Sequence, residues 1–110
     1  MIYLACPYSG PPEVVKQRME VFCKTVAKLT RDGYLVVSPL FMHFVLPFDP
    51  TLGDDWKSWQ RYSEELLSRC DKLCILCLDG WEESKGIQGE IICAESLGIK
   101  ITKLPPDFAA

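Results

Sequence analysis

Leu73-Cys74-Ile75-Leu76-Cys77-Leu78, followed by Gly80-Trp81-Glu82-Glu83-Ser84-Lys85-Gly86-Ile87-Gln88-Gly89-Glu90, is the stretch whose reading decides the fold. The first part is an unbroken apolar run of strand length, bounded by a loop that carries glycine. Beyond the loop, Ile87, Ile91, Ala94 and Leu97 recur at the three- and four-residue steps of a helix. A strand, a glycine-bearing loop and a helix in that order form the repeating unit of an open α/β sheet. Ligands of such sheets sit beyond the carboxyl ends of the strands, against helix N-termini. Glu90, in the opening turns of the helix, is the leading candidate for chemistry.

The rest of the chain repeats the alternation. Residues 2–6 predict the first strand, and the turn Pro7-Tyr8-Ser9-Gly10-Pro11-Pro12 opens a helix. Val15, Met19, Phe22, Val26 and Leu29 mark the apolar face of that helix, and Gly33 supplies its stop. Residues 34–38 predict a second strand, and a loop then runs to Asp54, with Pro50 and Gly53 as punctuation. Trp59, Tyr62, Leu66 and Cys70 mark a second helix, for which Asp54-Asp55 is the start signal. Residues 72–78 predict the third strand, residues 86–97 the third helix, Gly98 its end, and residues 99–104 the last strand. The expectation is a three-layer α/β domain spanning residues 1–110. Its parallel sheet should have four to five strands, right-handed crossovers and helices on both faces. The loops after strands one and three then meet, which brings Tyr8 and Ser9 near Ser84 and Glu90.

Bulk composition narrows the functional classes. A chain of 110 residues fits one domain with a real core, but is short for an enzyme that encloses its substrate alone. The formal net charge is -3 and the basic residues are scattered, which argues against a nucleic-acid surface built on a clustered basic face. A small phosphorylated ligand stays compatible, because a helix N-terminus and one or two side chains can hold a phosphate. Met1-Ile2-Tyr3-Leu4-Ala5-Cys6 contains the Leu-Ala-Cys of a lipoprotein cleavage box. It lacks a basic region and a long apolar region ahead of it, and reads as a strand. The apolar residues 34–48 are too few to span a bilayer and are broken by Pro39 and Pro47. A cytoplasmic protein without membrane contact is expected.

Six cysteines without a secretion signal point to free thiols in a reducing compartment. Cys70, Cys74 and Cys77 have a spacing known from iron–sulfur ligation. Cys74 and Cys77, however, lie an odd number of residues apart in a strand and so face opposite ways. With His43 as the lone histidine, a metal site is not expected. All six cysteines read as small buried apolar residues.

The loop and helix after the third strand suggest a specific chemistry. A carboxylate near a helix N-terminus should stay ionised, and an oriented carboxylate can attack an anomeric carbon. Gly86 and Gly89 remove side chains on the approach to it, and Ser84 can cap the helix or bond a ligand oxygen. Each feature also has a purely structural explanation. A glutamate near a helix start is ordinarily a solvated, dipole-matched residue, and a serine before a helix is ordinarily an N-cap.

Ile2-Tyr3-Leu4-Ala5-Cys6-Pro7-Tyr8-Ser9, taken with the run from Cys70-Asp71 through Ser84-x-Gly86 to Glu90, resembles the nucleoside 2-deoxyribosyltransferase-like superfamily. More closely, it resembles a small bacterial and phage branch of that superfamily. The resemblance runs in order along nearly the whole chain. It implies a flavodoxin-like sheet and cleavage of the N-glycosidic bond of a nucleoside or nucleotide, with transfer to water or to a second base. It implies no cofactor. Glu90 falls on the family's nucleophile and Tyr3 on a first-strand tyrosine that orients it. At Ser84 the transferases tend to have an aspartate facing the sugar 5′-hydroxyl, whereas nucleotide hydrolases have a serine facing the 5′-phosphate. The resemblance therefore leans toward a nucleotide. Two positions depart from the pattern. The family's usual aspartate eight residues before Asp71 is Ser63 here, with Glu64 and Glu65 beside it. The arginine that the nucleotide hydrolases carry after strand one is Ser9.

Asp79, at the end of strand three, is placed for acid work on the leaving base, and Asp71 reads as structural. Trp81, Trp56 and Trp59 are candidates for stacking on a base, although such tryptophans more often pack or meet a partner subunit. His43 lies in an apolar loop where a lone histidine is ordinarily a satisfied structural residue, and the loop is also able to lie over the pocket. Three functions stay open: a glycosidase or transferase, a catalytically silent nucleotide-binding protein of the same fold, and an interaction domain using residues 41–48. The same apolar loop predicts a homodimer or higher homo-oligomer.

Overall fold

β1 (Ile2–Ala5) lies between β2 (Val36–Val37) and β3 (Lys72–Leu76), with β4 (Lys100–Leu104) outside β3, in a computed structural model describing residues 1–110. All three strand pairings are parallel. The order β2-β1-β3-β4 is that of the first four strands of the flavodoxin-like arrangement. Helices α1 (Pro12–Arg31), α2 (Trp56–Ser68) and α3 (Lys85–Leu97) complete a three-layer α/β fold. Two short 3-10 turns, Pro39–Phe44 and Leu46–Phe48, occupy part of the segment that the sequence reads as plain loop.

Side-chain alternation along the central strands divides the core into two halves. Ile2, Leu4 and Cys6 of the first strand segment join Cys74 and Leu76 of β3 on one face, under Phe22 and Leu29 of α1. Tyr3, Ala5, Leu73 and Ile75 point the other way, against Leu67, Ile87 and Ala94 of α2 and α3. Every residue of β1 and four of the five in β3 are buried, as expected for strands covered on both faces. Phe22 is fully buried, so truncation to Ala would cost about 3–5 kcal/mol from lost transfer energy and the cavity left behind.

Helix ends follow local chemistry. Pro12 opens α1, where its missing N–H costs nothing. Ser84 caps α3 through its hydroxyl, which accepts the Ile87 N–H at 3.3 Å. Gly98 closes α3 with φ 70°, a left-handed conformation that side chains disfavour. Asp55 holds the N-cap position of α2, but its carboxylate binds the Ser58 hydroxyl and not the helix backbone.

The second strand is shorter than predicted. Only Ile2–Val36 and Tyr3–Val37 pair, Leu35 is 73% exposed, and the 3-10 turn beginning at Pro39 ends the ladder. The cysteines also need a correction. Cys6, Cys70 and Cys74 are buried and Cys77 and Cys93 are half-buried, but Cys23 lies on the exposed face of α1. All six are free thiols, and Cys74 and Cys77 pack on opposite faces of the sheet as their spacing requires. No helix is long and apolar enough to cross a membrane.

Candidate functional site

The strand order reverses direction between β1 and β3, and there the loops after the two strands diverge to leave a crevice. A cleft of about 480 Å³ lies at that point. Its floor is the end of β1, one wall is the start of α3, and the 3-10 turn at residues 39–44 and the start of α2 close the far side. Tyr8, Ser9, Ser84, Gly86 and Glu90 all line it, so the main convergence expected from the sequence is present. A second hollow of similar volume runs along the exposed face of α2. Its walls come from that one helix, and its carboxylate, Glu65, is bound to Arg69 at 2.8 Å.

Glu90 is the buried carboxyl of the cleft. It stands in the second turn of α3, is 6% exposed, and accepts a hydrogen bond from the phenol of Tyr3. Tyr3 is wholly buried beneath it and lines no part of the cleft itself. Burial raises the Glu90 carboxyl to about 7, with the Tyr3 hydrogen bond working in the other direction. The expectation that the helix dipole keeps Glu90 ionised at neutral pH is therefore corrected. At its sixth helical position the dipole has faded, and desolvation dominates. A carboxyl that titrates near neutrality can act as acid or as nucleophile. Burial and the neighbouring Glu90 charge push the Tyr3 phenol far above its ordinary range, so it remains a donor. Ser63, also buried, lies close to the same phenol.

Cys6 also lines the cleft, but burial pushes its thiol up to about 12, with Arg18 acting against the shift and Glu90 adding to it. It remains a protonated thiol, unsuited to nucleophilic attack.

Arg18 is the residue that sequence reasoning missed. From α1 its guanidinium reaches the cleft and donates to the main-chain carbonyls of Ser9, at 2.7 Å, and Asp79, at 2.8 Å. It thereby joins the loops that follow β1 and β3, and it binds no carboxylate. Gly80 makes room for it. With φ 91° this position disfavours side chains, and a Cβ there would lie 2.9 Å from Arg18 Nη2. Arg18 thus stands nine residues after Ser9 in sequence and is held by the carbonyl of Ser9 itself. Across the cleft, Ser84 uses its oxygen to cap Ile87 and keeps its own proton free to donate.

Three expected site residues lie elsewhere. Gly89 faces Trp56, whose indole fills the space that a side chain would need, so this glycine serves packing rather than ligand approach. Trp81 packs on the α2–α3 face of the sheet beneath the Lys103 ammonium, 5.2 Å from its ring centre, and does not border the cleft. Asp79 contributes its carbonyl to Arg18 while its exposed carboxylate is no part of the lining. The aromatic walls come instead from Trp56, Trp59, Tyr8 and His43.

A parallel sheet of this order, with a buried carboxyl in the crevice of its switch point, places the chain among the flavodoxin-like α/β proteins. Within them it belongs to the family described as a domain of unknown function (DUF1937), which residues 1–104 match. No curated protein matches the chain.

Proposed function

We propose that the chain cleaves the N-glycosidic bond of a nucleotide, with Glu90 as nucleophile. The observation that carries this reading is the buried Glu90 carboxyl, fixed by Tyr3 at the floor of an aromatic-walled cleft. A glycosyl ester forms when an oriented carboxylate attacks an anomeric carbon through an oxocarbenium-like transition state. Tyr3 holds one oxygen of Glu90 and leaves the other to attack. Arg18 and the Ser84 hydroxyl, on opposite rims, supply donors for the 5′ end of the sugar. An unpaired guanidinium and a free hydroxyl favour a phosphate there over a neutral hydroxymethyl group. Flat aromatic walls at Trp56 and Trp59 suit a base.

Ser63 supports a second reading, a silent nucleotide-binding protein, because a hydroxyl stands where the superfamily usually places an aspartate used near the sugar or base. Base release from a mixed panel of nucleosides and nucleotides by wild type and Glu90→Gln decides between them. Release by wild type alone supports the glycosidase. Ligand-induced thermal stabilisation without release from either protein supports the silent binder. Equal release from both ends the assignment of Glu90 as nucleophile.

We further propose that the chain forms a homodimer through the 3-10 segment, where Phe44 is 61% and Phe48 88% exposed. Apolar surface of this kind, beside an open cleft, suits a partner subunit that helps close the site.

A further inference from the structure

Among all buried side-chain nitrogen and oxygen atoms, Nδ1 of His43 alone has no hydrogen-bond partner. A desolvated polar atom without a partner costs stability, and native structures hold few of them. His43 is also a wall of the cleft that contains Glu90. Its ring stacks on Tyr8, with centroids 3.7 Å apart and planes at 27°, so the plane in which its nitrogens point is fixed. The 3-10 turn carrying it crosses over from β2, the strand beside β1, and so brings the imidazole to the opposite side of the crevice from α3.

The glycosidic reading leaves one role unfilled. A departing base must be protonated as its bond to the sugar breaks, and Ser63 and Asp79 do not provide the acid. Ser63 is a hydroxyl, far too weak an acid for the task, and the Asp79 carboxylate lies outside the cleft. The Asp55 carboxylate, held by the Ser58 hydroxyl, is kept below its ordinary range and has no proton to give near neutrality. Asp54 and Glu83 are exposed at the rim. His43 combines a ring fixed by Tyr8 with a place in the wall of the same cleft as the nucleophile, and its Nδ1, sealed from solvent, has no protein partner.

We propose that His43 protonates the departing base, and that the Tyr8–His43 stack forms the base end of the cleft. This rests on the glycosidic reading above. In the first step a Glu90 oxygen bonds to the anomeric carbon while the C–N bond breaks, and its electron pair passes to the base nitrogen. The proton of the His43 imidazolium goes to a ring nitrogen of that base, leaving neutral imidazole. In the second step a water oxygen attacks the anomeric carbon, the ester bond to Glu90 breaks, and the water proton returns to His43. An incoming base follows the same course, its own proton taking the place of the water proton. Burial lowers the His43 imidazolium below its ordinary range, so it is the more ready to give up its proton, and the Asp54 charge works in the other direction.

Leaving-group dependence tests the proposal. Full-length wild type, His43→Asn and His43→Phe are compared on a panel of nucleoside 5′-monophosphates and on a 4-nitrophenyl (deoxy)riboside 5-phosphate, whose phenolate needs no proton to depart. His43→Phe keeps a ring to stack on Tyr8, and His43→Asn avoids burying a new apolar edge. Both should lower kcat on the nucleotides by about 10²-fold or more, while cleavage of the nitrophenyl substrate stays within a few-fold of wild type. Equal losses on both substrate types, or no loss on either, overturn the role of His43 and leave the glycosidic reading standing. Wild type that releases neither base nor nitrophenolate overturns both.

Discussion

The indole of Trp56 packs against Gly89, so close that a single Cβ on the glycine would fall inside the ring's van der Waals envelope. Through this contact the first residue of α2 is seated on α3, and the aromatic wall of the cleft is set against the residue that precedes Glu90. Gly89→Ala should force the indole away and destabilise the fold by about 1–3 kcal/mol, the range for overpacking. Gly86 differs, because a Cβ there would meet Trp56 Cε3 at an ordinary 3.7 Å. Gly86→Ala should gain about 0.5–1 kcal/mol of helix stability while narrowing the cleft. Chemical denaturation of the two variants checks the contrast, and a loss of similar size in both would contradict it.

Glu90 couples stability to pH. Its carboxyl titrates at about 7 in the folded chain, against an ordinary 4.5. Between those values the folded state keeps a proton that the unfolded chain has released. The associated stability is fully present below the lower value and disappears as pH rises through the upper one, a loss on the order of 3 kcal/mol. Glu90→Gln cannot ionise and can still accept from Tyr3. It should melt higher than wild type at about pH 8.5, with the gap largely closed at about pH 5. Thermal melts at the two pH values measure this, and a gap independent of pH would mean that Glu90 is not the buried acid.

Arg18 should discriminate between nucleotide and nucleoside. Arg18→Met keeps an aliphatic stem over the cleft but removes the guanidinium. Under the nucleotide reading, it should weaken binding of a 5′-monophosphate by roughly 1.5–3 kcal/mol, about ten- to a hundredfold, beyond the loss shared with the matching nucleoside when the two loops are untied. Ser84→Ala should show the same preference plus a general loss of about 1 kcal/mol, because it also removes the cap of α3. Calorimetric titration with each ligand pair gives the comparison, and equal weakening of both ligands would place the phosphate elsewhere.

The exposed aromatic residues of the 3-10 segment supply a test of assembly. Phe48→Glu places a charge on the most exposed of them. If this face joins two copies, wild type sediments as a dimer at micromolar concentration and the variant as a monomer. A monomeric wild type would remove the homodimer proposal.

Much of the fold was legible because its signals are local and redundant. The two-sided apolar runs of β1 and β3, the periodic faces of α1 and α2, and Gly98 each state one element without reference to the others. The shortness of β2 was not legible. Tyr34, Leu35, Val36 and Val37 all favour a strand, and only the position at the sheet edge and the turn at Pro39 restrict pairing to two residues. At the cleft, the convergence of Tyr3, Glu90 and Ser84 was legible because each sits at a readable point of a strand or a helix start. Arg18 was hidden because it sits within the helical pattern of α1, and its partners are two carbonyls that carry no side-chain signal. Gly89 was misread for a related reason. A glycine that admits a ligand and one that admits a neighbouring indole look alike until Trp56 is placed. The error over Glu90 was one of magnitude, since sequence shows the helix that would favour its charge but not the burial that opposes it.

β1 carries the floor of the cleft between two other strands, with all its residues buried, while the rim residues Ser9, Gly10, Asp79 and Gly80 are exposed. Amide hydrogens on the two parts should therefore exchange with solvent by different routes. Those of Tyr3, Leu4 and Ala5 need the whole sheet to come apart, so their exchange reports the global unfolding free energy. Those of the rim need only a loop to open and should exchange orders of magnitude sooner. A ligand that bridges Arg18 and Ser84 would slow the rim first, and would slow the floor only as far as it stabilises the entire chain. Deuterium uptake read peptide by peptide thus separates occupation of this cleft from binding anywhere else on the molecule.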